Sequence, residues 1–292
     1  LGHEAAGIIE KVGSDVHYVK PGDHVISCLS VFCGHCAHCT TGRPFICENP
    51  ETARAPEERP RLQQDGHPVH QFYNLSSFAE YMLVHEHALV KIRPDMPLDR
   101  AALIGCAVTT GVGAVTNTAQ VEVGATIAVI GCGGIGLSAI NGAAISGAGR
   151  IIAIDLNDSK LDTARTFGAT DTINAATTDP VEAIREMTGG GVAYSFEAIG
   201  RKQTTEQAFR MLATGGTATV IGMVPEGEMV ESEAADLIND KTLRGSNMGS
   251  NRFRVDMPNY VDFYLDGRLK LDAMIARRIG LEEVNEAFAE MK

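Results

Sequence analysis

Thr126-Ile127-Ala128-Val129-Ile130-Gly131-Cys132-Gly133-Gly134-Ile135-Gly136 is a β-branched run that passes directly into a glycine-rich turn. A short apolar run bounded by a turn reads as a strand buried on both faces. Gly131, Gly133 and Gly136 then satisfy G-x-G-x-x-G, with Gly134 and Ile135 filling the turn. The first glycine permits the tight turn, the second lets a pyrophosphate approach the backbone, and the third lets the following helix pack on the strand. Free N–H groups at that helix start, together with its dipole, favour the phosphates. The motif is weak alone and strong in context. Ile151-Ile152-Ala153-Ile154 is a second buried run, and Asp155 closes it nineteen residues after Gly136, where an acid accepts from the ribose hydroxyls of an adenosine. An acid repels a 2′-phosphate, and Leu156-Asn157-Asp158 brings no arginine, so NAD is expected rather than NADP. Asp155 as a plain helix N-cap is the bland alternative. Lys160 can reach the same ribose or be a solvated helix residue, and Cys132 reads as a small filler of the turn.

Downstream, helical stretches near 159–167, 181–187 and 205–212 alternate with strand-like Thr172-Ile173, Ala193–Phe196 and Thr217–Ile221. That alternation predicts an α/β, doubly wound parallel sheet. Beyond Gly245 the regularity fades, as expected if the chain returns to its first domain. Upstream, Ala6–Ile26 is short-stranded with Gly13-Ser14-Asp15 and Pro21-Gly22-Asp23 turns, which predicts an antiparallel, barrel-like unit. Glu51–Pro68 reads as a long surface excursion, Phe78–Ile92 as strand-like, and Arg100–Val115 as helical. The start at Leu1-Gly2-His3-Glu4 and the stop at Glu290-Met291-Lys292, inside an amphipathic pattern, suggest a piece of a longer protein.

Four of the seven cysteines fall at C-x2-C-x2-C-x7-C: Cys33, Cys36, Cys39 and Cys47. Four thiolates converging from such spacings satisfy tetrahedral Zn²⁺. Disulfides need an oxidising compartment and no secretory signal is evident. A ferredoxin-type cluster continues x3-Cys-Pro, which this chain does not. His35 and His38 are expected to be loop residues, because four thiolates fill the site. Cys28 is expected to be a buried structural thiol. The formal net charge of -12 argues against nucleic acid or an anionic membrane as partner, and no apolar run is recognised as a bilayer span. The cytoplasm is the expected location.

The remaining motifs are Gly2-His3-Glu4-Ala5-Ala6-Gly7 and Gly105-Cys106 with Thr109-Thr110-Gly111. Together with the cysteine lobe, the glycine turn and Asp155, they resemble the zinc-containing medium-chain alcohol dehydrogenases along essentially the whole chain. The excursion with His70-Gln71-Phe72-Tyr73 looks most like the animal-type and formaldehyde-dehydrogenase branches. The resemblance implies a GroES-like β-barrel catalytic domain from 1–107 and 248–292, and a Rossmann cofactor domain from 108–247. It implies two zincs per subunit. The cysteine lobe would hold a structural one; His3 and Cys106 would ligate a catalytic one, with Glu4 beside it or as an alternative ligand. The family's further cysteine ligand and its proton relay belong upstream of His3. Thr110 would touch the nicotinamide side, and Ile199, Gly200, Arg201, Ile221 and Met223 would contact the cofactor.

The implied activity is hydride transfer between a primary alcohol and NAD, with zinc as Lewis acid toward the alcohol oxygen. Leu29, Phe72 and Tyr73 would line an apolar substrate pocket, although both aromatics could also be core. The glutathione-dependent branch carries an arginine soon after the last lobe cysteine; here Glu48-Asn49-Pro50-Glu51 follows Cys47 and Arg54 is the nearest cation. Thiol-dependent formaldehyde oxidation is one alternative, and a non-catalytic NAD-binding relative keeping only the structural zinc is another. A homodimer joined at the edges of its cofactor sheets is expected, with a tetramer as the alternative.

Overall fold

The computed structural model describes residues 1–48 and 57–291. They form two compact units, Leu1–Cys106 with Arg252–Lys292, and Ala107–Asn251. The family resemblance implies boundaries at 107/108 and 247/248. The later crossing arises because the turn Met248–Ser250 packs into the helix Thr109–Gly113: an ideal Cβ on Gly113 would lie 2.9 Å from the Gly249 Cα.

In the first unit, β1 (Ala6–Ile8) and β2 (His24–Ser27) pair antiparallel, with Ala6 opposite Ile26. A hairpin of β3 (Leu62–Gln64) and β4 (His67–Val69) stands at the end of the expected surface excursion. Asp65 and Gly66 carry φ of 51° and 81°, the left-handed pair that a two-residue hairpin turn demands. Asn49, Pro50, Glu51 and Arg54 lie outside the described residues. Of the strand-like stretch from Phe78 to Ile92, only β5 (Leu89–Ile92) is a strand, pairing with β2 so that His24 faces Ile92. The turn Glu86–Ala88 interrupts the rest. Val19, Val25 and Leu89 pack as a core with Val12, Val16 and Tyr18.

The C-terminal stretch belongs to this unit through the helix Phe253–Leu265. The Arg254 guanidinium lies 3.6 Å from the Tyr18 ring centroid and donates to the Glu86 and Leu89 carbonyls at 2.7 and 3.1 Å. Burial lowers the pKa of this guanidinium from its ordinary value.

The second unit carries six parallel strands: β6 (Thr126–Ile130), β7 (Arg150–Asp155), β8 (Asp171–Asn174), β9 (Val192–Glu197), β10 (Leu212–Val220) and β11 (Thr242–Gly245). Their order is β11-β10-β9-β6-β7-β8. The chain winds outward from β6 in both directions, so the order reverses between β6 and β9, and ligands bind open α/β sheets beyond the strand ends at such a switch point. Ile130, Ile152, Ile173, Ile184, Val192 and Phe209 form one buried cluster within this unit.

The helices start close to where periodicity puts them. Asp158–Phe167 is capped by the Asn157 side chain, and Pro180–Thr188 by Asp179. Lys202–Arg210 begins three residues before the expected Thr205, because Arg201 is the last extended residue. The stretch Leu98–Ala119 is helical throughout and its most apolar window has mean hydropathy 1.3, long and apolar enough for a bilayer span. That window is 61% buried inside the structure, as in a core helix.

Candidate metal and dinucleotide sites

The four lobe cysteines bring their sulfurs within 4.8 Å of one another. Cys33 and Cys39 sulfurs are 3.9 Å apart, and those of Cys36 and Cys47 are 3.8 Å apart. Four sulfurs at about 2.3 Å from a central zinc stand about 3.8 Å from each other, so the cage has the size of a tetrahedral Zn–S₄ site. The local chain builds it. Backbone N–H groups of His35 and Cys36 donate to the Cys33 sulfur at 3.5 and 3.3 Å, and that of Cys33 to the Cys47 sulfur at 3.4 Å. Burial pushes the Cys33 thiol up, but these N–H groups and the Cys47 and Cys36 thiols hold it at about 6, whereas burial lifts Cys39 to about 12. None of the seven cysteines is in a disulfide.

The glycine turn joins β6 to the helix Gly134–Ile145. Gly131 has φ +97°, and a Cβ there would lie 2.7 Å from Ile199 Cγ1. A Cβ on Gly136 would run into the Gly131 carbonyl, whereas one on Gly133 meets nothing within 4 Å. The second glycine therefore faces open space, and no side chain caps this helix start. This is the cradle a pyrophosphate requires. Asp155 ends β7 beside it and accepts from the backbone N–H groups of Cys132 at 2.8 Å and Asn157 at 3.1 Å. Lys160 is exposed on the following helix. Ile199 is 45% and Met223 89% exposed, Arg201 is exposed, and Ile221 is buried. Thr110 is buried, with its hydroxyl 3.5 Å from the Met248 sulfur.

Cys132 lies within that turn. Burial, then the Asp155 carboxylate, push its thiol up to about 12 against the opposing charge of Lys160.

In the first unit, Cys106 rides on a wide, π-helical turn, Ile104–Val108. A Cβ on Gly105 would lie 2.8 Å from the Ser27 carbonyl oxygen and 3.7 Å from the Glu4 Cα, so the missing side chain lets this helix meet the His3-Glu4 segment. The Gly2 carbonyl accepts from the Ser77 N–H at 3.0 Å, and the His3 and Phe72 rings are 5.8 Å apart. Phe72 and Tyr73 are 39% and 54% exposed, so they are not core aromatics. Among the described residues, His3, Glu4 and Cys106 do not form a convergent three-donor group like that of the lobe.

Family models match both units. "Alcohol dehydrogenase GroES-like domain" covers residues 1–94 and "zinc-binding dehydrogenase" covers 134–266. The alcohol dehydrogenase class-3 of Oryza sativa subsp. japonica is 37% identical over 296 residues, 99% of this chain and 78% of its own. The S-(hydroxymethyl)glutathione dehydrogenase of Saccharomyces cerevisiae is 38% identical over 100% of this chain and 78% of its own. The chain belongs to the zinc-containing medium-chain alcohol dehydrogenases. Among solved structures, benzyl alcohol dehydrogenase from Acinetobacter calcoaceticus superposes with TM-score 0.89 at 34% identity, covering 100% of this chain and 80% of that one.

Like the class-3 relatives, this alcohol dehydrogenase falls in the formaldehyde-dehydrogenase-like branch, and it is an oxidoreductase with zinc and a nicotinamide dinucleotide as cofactors. The lobe fits zinc by its sulfur spacing, and the glycine turn fits a dinucleotide by its open second glycine. Two features escaped the sequence reading. Met248, Gly249 and Ser250 all have positive φ, of 47°, 65° and 48°, a left-handed turn against Thr110. Glu197, at the end of β9, is fully buried. Its only advance signal is an acid closing the apolar run before Ala198-Ile199-Gly200.

Proposed function

We propose that this chain oxidises primary alcohols with NAD, or reduces the matching aldehydes. The observation carrying this reading is the Gly105–Glu4 approach, which supports bringing Cys106 toward His3. In this reading His3 and Cys106 hold a catalytic zinc with Glu4 beside it, while Cys33, Cys36, Cys39 and Cys47 hold the second. The catalytic metal, when bound, polarises the alcohol oxygen so that its proton leaves near neutral pH. The protein's own residues orient and exclude water: Phe72, beside His3, and Tyr73, edge-on to Phe72, offer an apolar wall for an aliphatic or aromatic chain. Asp155 holds the adenosine ribose, Gly131, Gly133, Gly134, Ile135 and Gly136 cradle the pyrophosphate, and Lys160, Ile199, Arg201, Ile221 and Met223 flank the cofactor. Thr110 meets the nicotinamide. The Asp155 carboxylate supports NAD over NADP.

Two further parts of the reading concern assembly and location. Among the described residues no strand pairs with the outer edge of β11, and Leu237 and Ile238, shortly before it in sequence, are 57% and 88% exposed, which supports a homodimer joined there. Seven cysteines outside disulfides support a reducing, cytoplasmic location.

The test is an NADH-formation screen of zinc-replete protein against primary alcohols, with and without glutathione. Turnover of benzyl or medium-chain alcohols without thiol is expected, and silence on every alcohol would refute the reading. Activity on formaldehyde only with glutathione would favour the second reading, which the name of the yeast relative supports.

A further inference from the structure

We propose that Ser76 is a positioning residue that fixes the Phe72 ring beside His3 and thereby sets a preference for aromatic over short aliphatic alcohols. This rests on the reading that His3 belongs to the alcohol-oxidising centre and Phe72 to its apolar wall.

Phe72 opens a tight turn, Phe72–Asn74, in the first unit, and Ser76 closes it in both directions. The Phe72 N–H donates to the Ser76 hydroxyl at 2.7 Å, and the Ser76 N–H donates back to the Phe72 carbonyl at 3.2 Å. The same carbonyl accepts from the Leu75 N–H at 2.9 Å. The chain between is held in an uncommon shape. Tyr73, Asn74 and Ser76 have φ of 49°, 58° and 54°, left-handed angles that residues carrying a Cβ rarely adopt. Such residues persist only where their surroundings over-determine them, and they cluster at active sites and ligand clamps.

The ends of this loop are tied independently of Ser76. Gln71 donates its side-chain amide to the Leu83 carbonyl at 3.3 Å, and Leu75, at 1% exposure, anchors the middle. Ser77 and Phe78 donate to the Gly2 and Leu1 carbonyls at 3.0 and 3.4 Å, which joins the loop to the segment carrying His3. Between these anchors the Ser76 hydroxyl restrains Phe72 at its own N–H. The Phe72 ring stands 5.8 Å from the His3 ring and meets the Tyr73 ring edge-on at 4.7 Å. It is exposed, so its direction follows from the backbone that carries it rather than from close packing.

Two consequences separate positioning from mere structure. Without the hydroxyl, water can reach the Phe72 N–H, so the fold loses little. The ring, however, is free to take other directions, and a wall contact depends on a fixed direction. A benzyl group offers a ring for edge-to-face contact with Phe72, which ethanol lacks.

The experiment measures kcat/KM for benzyl alcohol and for ethanol with NAD on the zinc-replete protein. Amide hydrogen exchange around Phe72 and the melting temperature are read on the same samples. Proteins compared are the unmodified chain, Ser76→Ala, Ser76→Gly and, as a control that alters the same loop but leaves the hydroxyl, Asn74→Gly. Both Ser76 variants are expected to lower the benzyl-to-ethanol ratio about fivefold, through benzyl alcohol, and to speed exchange of the Phe72 amide. Their melting temperatures should stay close to that of the unmodified protein. Asn74→Gly should keep the ratio within about twofold. Glycine is relaxed at a φ of 54°, so Ser76→Gly carries the test if Ser76→Ala fails to fold. A merely structural serine would slow both alcohols alike, and that result overturns the proposal. So does an unchanged ratio in the Ser76 variants, or an equal fall in Asn74→Gly. An unmodified protein that oxidised neither alcohol would overturn the alcohol-oxidising reading, and this inference with it.

Discussion

The cysteine lobe and the dinucleotide site are built by opposite strategies. The lobe draws four donors from fifteen consecutive residues and closes them with its own N–H groups. The proposed dinucleotide site draws from the ends of β6, β7, β9 and β10, which only the sheet order brings together. A local site depends on each ligand and little on the rest of the fold; an assembled site depends on contacts between segments.

The largest expected effect breaks the lobe. Cys36→Ser should release one zinc per subunit, read by elemental analysis, and cost on the order of 5 kcal/mol of stability, because metal binding to such a cage is coupled to folding. Unchanged zinc content and melting temperature would mean that the lobe is not a metal site. Next come two glycines of the same turn. Gly136→Ala puts a methyl group into the Gly131 carbonyl and should cost about 1–3 kcal/mol together with NADH binding. Gly133→Ala points into open space, so it should melt like the unmodified protein yet bind NADH more weakly. Equal melting temperatures for both variants would contradict this packing.

Asp155→Ala should weaken NAD by about tenfold to a hundredfold and narrow its advantage over NADP, measured as a ratio of kcat/KM values or of affinities. A larger loss for NADP would reverse the assignment. The smallest effect is electrostatic. Arg150 donates to both Asp171 oxygens at 2.8 and 2.9 Å and holds the Asp171 carboxyl at about 2, against burial that would raise it. A depressed carboxyl stabilises the fold above the ordinary carboxylate range, and that contribution is lost as pH falls from about 4 toward 2. Arg150→Gln should remove about 0.5–1 kcal/mol at neutral pH and flatten this acid limb; an unchanged limb would assign it to other carboxylates.

The same contrast explains what the sequence discloses. Donor type and spacing announce the lobe, and a strand, three glycines and a distant acid announce the cofactor turn, because each signal travels along the chain. Glu197 is silent for the opposite reason. Its contacts with Ile199, Gly200 and Thr204 form only once β9 is inserted beside β6, and a single acid after an apolar run does not encode that neighbourhood. The β3–β4 hairpin was legible in Asp65-Gly66 but hidden by the polar composition around it. The turn Met248–Ser250 could not be read, since Met and Ser seldom adopt left-handed angles and only the packing of Gly249 against Thr109–Gly113 holds them there.

Cys132 turns the chemistry of its position upside down. A thiol near a helix start is ordinarily acidified into a reactive thiolate. Here burial and the neighbouring Asp155 keep the proton on, so the thiol is a poor target for peroxide or alkylating reagents at physiological pH. Burial, helped by the carboxylate that steadies the turn, thus also makes it durable: under oxidative stress the thiol in this turn should be spared well after more accessible cysteines have been modified.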